Sequence, residues 1–237
     1  MESIIFQANV IGMIAYIVPA TLLFFWIIKD IEDKLIERKL YLACGIGVVL
    51  GTIADIIMII GGVDLYSTNV GYASFILISP LVMIMILFVG VNLKTFKSEP
   101  AAPFYSAGLG LFFGGALEFW KLLVTQERYG IRIPDTLIIA GFGVGTLVFL
   151  GGAGMWISYG IKNDNGVRVA SRITFLYLFL AFLNASALEN IHFGVYSSTL
   201  ITILALVGYL LVSGTLFHQG LLKLPKIEKN SLKPDDL

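Results

Sequence analysis

GYASFILISPLVMIMILFVGVNL, residues 71–93, runs 23 residues without a charged side chain. As a helix it is about 35 Å long, enough to cross the ~30 Å hydrocarbon core of a bilayer. Six further apolar stretches have comparable length: 4–28, 40–62, 103–125, 136–160, 172–191 and 197–220. Backbone groups in lipid must be satisfied within the segment or in a closed barrel, and none of the seven stretches alternates with a period of two, so helices are expected. The expected fold is all-α, a polytopic seven-helix transmembrane bundle over residues 1–222, followed by a mobile cytoplasmic tail at 223–237. The composition agrees: 57% of the 237 residues are hydrophobic, 14% are charged and the mean hydropathy is +0.89. That excludes a soluble globular domain. A single cysteine, Cys44, excludes disulfide frameworks and thiolate metal clusters held by this chain alone.

Lys plus Arg equals Asp plus Glu at 16 each, so no basic excess points to nucleic acid. Sorted by position, the charges are far from even. Lys29, Lys34, Arg38, Lys39, Lys94, Lys97, Lys162, Arg168, Arg172, Lys223, Lys226, Lys229 and Lys233 fall on one side of the spans, whereas only Arg128 and Arg132 fall in the opposite loops. The positive-inside rule then predicts an extracytoplasmic N-terminus and a cytoplasmic C-terminus. Trp26, Trp156 and Tyr159 mark inner helix ends in this scheme, and Trp120 and Tyr129 an outer one. The start, MESIIFQANV, has no basic region and precedes a span too long for a signal peptide, so span one is expected to remain as a helix.

An internal repeat is legible within the spans. CGIGVVLGTIADII from Cys44 and AGLGLFFGGALEFW from Ala107 align without a gap, bringing Gly47, Gly51 and Asp55 onto Gly110, Gly114 and Glu118. In AFLNASALENI from Ala181, the residues Ala181, Ala185 and Glu189 keep the end of the pattern. Three parallel two-helix repeats, at about 1–66, 67–132 and 133–195, plus a seventh helix are therefore expected. The small-xxx-small rows let helix backbones approach closely, which suits packing among the even-numbered helices and contact with a second copy or other membrane subunits. The lipid bilayer is the other expected partner. Counted from the inner helix ends, the three acids lie ~23 Å deep, at one level in the outer third of the membrane.

An intramembrane carboxylate normally faces a polar cavity or a partner. Lys121, one turn beyond Glu118, is the expected charge partner. His192 follows Glu189 by three residues and Asn190 lies beside it, and Glu-x-x-His on a bundle helix is a metal-ligand spacing. Asp55, Glu118, Glu189 and His192 could thus hold one divalent metal ion, or the acids with Asn190 could handle protons. Asp64 and Asp135 add negative charge near the outer mouth. The seventh span has no lysine, which excludes retinal on a Schiff base, and His192 and His218 lie at opposite faces, which excludes a bis-histidine haem within the chain. No nucleophile elbow, HExxH, Walker A or dinucleotide fingerprint is present. The expected function is a cation- or proton-handling membrane protein. The alternatives are an accessory subunit of a larger membrane complex and, third, a metal-dependent membrane enzyme.

Overall fold

The computed structural model describes residues 10–29, 31, 35–61, 69–129, 133–193 and 199–224, with 69–72, 126, 128, 129, 133–135, 188–193 and 199 described by backbone alone. Seven helices are long and apolar enough to cross a membrane. They are α1 (Val10–Ile28), α2 (Glu37–Ile60), α3 (Asn69–Val91), α4 (Ala102–Tyr129), α5 (Ile133–Lys162), α6 (Gly166–Phe193) and α7 (Thr199–Leu222). A single turn, Lys94–Lys97, lies between α3 and α4. No strand occurs among the described residues. Helix α6 begins six residues before the apolar stretch does, because Arg168 and Arg172 interrupt hydropathy without interrupting helicity. The tail from 225 onward, Asp64 and Arg132 lie outside the described residues, as do the side chains of Arg128 and Asp135.

The middle of the bundle is α4 against α5, not the three even-numbered helices. Within their apolar windows 67% of α4 and 72% of α5 is buried, against 22% for α6 and for α7. Helix α4 packs on α1, α2 and α5, while α6 packs on α3, α5 and α7. The approach of α4 to α5 requires glycine. A Cβ on Gly110 would meet the carbonyl oxygen of Leu150, and one on Gly154 would meet that of Ser106. The small rows pack inside the chain: Gly47, Gly51, Gly110, Gly114, Ala181 and Ala185 are all buried.

Near the basic end, contacts clamp the bundle. Lys39 pairs with Glu99, the Lys162 ammonium donates to the Pro100 carbonyl at 2.7 Å, and Lys223 lies 4.0 Å over the Trp156 ring. The Ile36 amide, at the start of α2, donates to the Tyr105 hydroxyl of α4 at 3.0 Å. Tyr105→Phe removes that acceptor and should cost about 1 kcal/mol. In detergent, the midpoint of thermal unfolding is expected to fall by about 3 °C; an unchanged midpoint would show that water takes the place of the hydroxyl.

Candidate functional site

Charge in a membrane helix is tolerated where the helix is shielded from lipid. Helix α4 follows that rule: its apolar window has the lowest mean hydropathy of the seven, 1.4, yet is among the two most buried. Glu118 is 2% exposed. Both its oxygens lie 3.4 Å from the Lys121 ammonium, one turn along the same helix. That spacing is wider than the 2.7–2.9 Å of a tight charge-assisted bond, so the carboxylate keeps capacity for a closer donor. Lys121 also sits 5.0 Å from the centre of the Phe75 ring of α3, and its side chain is only 17% exposed. It is held between helices instead of reaching freely to the surface.

Asp55 shares this level. Helices α2 and α4 run parallel in close contact, since a Cβ on Gly47 would lie 2.5 Å from the Leu109 carbonyl oxygen and one on Gly51 would meet that of Phe113. One turn beyond Gly51, Asp55 therefore arrives beside the turn that carries Glu118. It is 6% exposed. Across the same pair of helices the Trp120 indole donates to the Thr52 hydroxyl at 3.1 Å.

A set of buried hydroxyl groups, not foreseen from the sequence, lies on the other side of Glu118. Pro19 has no amide hydrogen and cannot bond back to the Ala15 carbonyl, and the turn ahead of it widens to a π segment at Met13–Ile17. This segment carries Tyr16, which is fully buried with its ring against Gly143 of α5. Three residues on, Thr146 donates to the Phe142 carbonyl at 3.2 Å. The Tyr209 hydroxyl of α7, 2.9 Å from Thr146, is then the donor between the two. Tyr177 of α6 stacks on Phe149 at 4.8 Å and donates to the Met83 sulfur at 3.0 Å. The Tyr16 ring lies on Gly143, and the Gly110–Leu150 and Gly114–Leu147 contacts carry Glu118 to that same level of α5.

Among the described residues, the Tyr16 hydroxyl and the Asn184 side-chain oxygen find no hydrogen-bond partner, the latter on a residue 4% exposed. Counting along the antiparallel pair from Tyr177 opposite Phe149, Asn184 comes opposite Phe142, next to the glycine that carries the Tyr16 ring. The signals available for these residues were a tyrosine beside an intrahelical proline and an asparagine inside the apolar run from Ala181.

Glu189, Asn190 and His192 belong to α6 by their backbone, and their side chains lie outside the described residues. Helix α5 stands between α6 and α4. The same count brings Glu189 opposite Leu137, whereas the contacts of Gly110 with Leu150 and Gly114 with Leu147 bring Glu118 opposite Gly143. The backbone of Glu189 is thus about 9 Å farther toward the helix end than that of Glu118. Asp55 and Glu118 share a level, and Glu189 lies beyond it, which differs from the expected single depth. Among the described residues no three of His, Cys, Asp and Glu gather as a metal site. The Lys121 ammonium beside Glu118 opposes the charge of a divalent ion at that carboxylate. No protein-family model, curated protein or solved structure matches this chain.

Proposed function

We propose that this multi-pass membrane protein handles protons at Glu118, with Asp55 as the neighbouring carboxylate and Lys121 as the counter-ion. The observation that carries this reading is the Glu118–Lys121 pair held inside the central helix, at the level of a buried tyrosine hydroxyl that finds no partner among the described residues. Protonation of Glu118 cancels its charge and releases Lys121, and loss of the proton restores the pair. Tyr16 offers a donor and Asn184 an acceptor through which water can extend the path past α5. The distribution of basic residues supports an outward N-terminus, which orients the level of Asp55 and Glu118 toward the outside.

The test is proton flux into liposomes that hold the purified protein and an internal pH indicator, with the membrane potential clamped. Glu118→Gln is expected to lower the flux at least tenfold, and Asp55→Asn and Tyr16→Phe several-fold. A Glu118→Gln, Asp55→Asn double variant that stays folded and conducts like the wild type would overturn the proposal. The divalent-ion form of the reading requires Glu189 and His192 in addition. Stoichiometric Mn²⁺ retained by the wild type and lost from His192→Ala would favour it over protons. The accessory-subunit reading predicts instead that the protein purifies with other chains seated on the apolar outer faces of α6 and α7.

A further inference from the structure

A groove on the lipid-facing side of the bundle opens between α3 and α6. It is walled by Leu81, Met85 and Val89 on one side and by Ala170, Ser171 and Thr174 on the other, and encloses about 280 Å³. Leu81, Met85 and Val89 are 48%, 67% and 61% exposed, so the groove is open sideways, as entry of an acyl chain requires. Phe88 and Val167 also line a second, shallow and widely open cavity of about 520 Å³ at the turn from α5 to α6. The wall of that cavity carries Asp164, Asn165 and Arg168.

We propose that these two cavities form a binding site for one zwitterionic aminophospholipid, with an acyl chain between α3 and α6 and the headgroup at the turn. The argument is charge complementarity. Asp164 and Arg168 are exposed, and neither side chain makes an ion pair or hydrogen bond among the described residues. The mouth therefore presents one free carboxylate and one free guanidinium four residues apart. A phosphate matches the guanidinium, which can bind it through two parallel N–H groups. The first turn of α6, beside Arg168, also directs amide groups toward an anion. A primary ammonium matches Asp164. Phosphatidylethanolamine carries both groups; phosphatidylglycerol has no cation for Asp164, and the quaternary nitrogen of phosphatidylcholine has no N–H to donate. Asp164 holds a left-handed backbone, φ 56°, which keeps it at the corner of the turn and which asparagine also tolerates.

The experiment is native mass spectrometry of the full-length protein released from vesicles of equal parts phosphatidylethanolamine, phosphatidylcholine and phosphatidylglycerol. The wild type is expected to retain phosphatidylethanolamine several-fold above its share. Asp164→Asn should abolish that preference over phosphatidylcholine, Arg168→Gln should lower retention of all three lipids, and Ala170→Phe should fill the groove and remove the bound lipid. All three positions are at the surface or half-buried, and unchanged helical circular dichroism confirms that the variants are folded. Retention in proportion to the vesicle composition, preference for phosphatidylglycerol, or a preference for phosphatidylethanolamine that survives Asp164→Asn would each overturn the proposal.

Discussion

Gly110→Ala is expected to destabilise the protein by about 3 kcal/mol, the upper part of the ordinary range for an overpacked core. The added methyl group would be driven into the carbonyl oxygen of Leu150 with the Cα of Gly151 at 3.0 Å. Neither neighbour is a side chain that can rotate away, so α4 and α5 must separate along their whole contact. Gly208→Ala provides the control. Nothing lies within 4 Å of a Cβ at that position, and alanine is the better helix former, so stability should be unchanged or raised. Denaturation in mixed micelles, followed by tryptophan fluorescence, compares the two. Equal stability of both variants would show that the α4–α5 contact is looser than described.

Lys121→Met is the second substitution with a large expected effect. It leaves Glu118 buried without its counter-ion, and removing one partner of a buried pair costs about 3 kcal/mol. The remaining exposure of Lys121 places the expectation at the low end of that range. Adding Glu118→Gln should recover most of the loss, because the stranded charge goes with it. The diagnostic quantity is the coupling in a double-mutant cycle, expected at about 1 kcal/mol or more. Additive effects would mean that Lys121 reaches outward to the interface and leaves Glu118 to other donors.

The spans were legible because hydropathy acts locally: residues 71–93 announce a helix from their own composition. The α2–α4 contact was legible for a similar reason, since Gly47, Gly51, Gly110 and Gly114 mark where backbones can approach. What the small-residue rows did not reveal is which helix lies across the other face of α4. Helix α5 carries its own glycines at 141, 143, 145, 151, 152, 154 and 160, but these do not follow the repeat pattern, and the repeat drew attention to the even-numbered helices. The Glu118–Lys121 pair was readable from an i,i+3 spacing. The grouping of Tyr16, Thr146, Tyr177 and Tyr209 was not, because it is assembled from four helices and depends on rotations about their axes that no local pattern encodes.

The order of burial also has a meaning for how the chain is made. The helix at the centre is the one least suited to enter lipid alone, with a glutamate and a lysine that each add about 3 kcal/mol to insertion when deep in the hydrocarbon. Helices α6 and α7, by contrast, present wide apolar surfaces that lipid accepts directly. On this order of burial, α4 is expected to insert in the shelter of α1 and α2 and to be closed over by α5. The residues that equip this protein with a charged interior thus make its insertion a cooperative act of several segments.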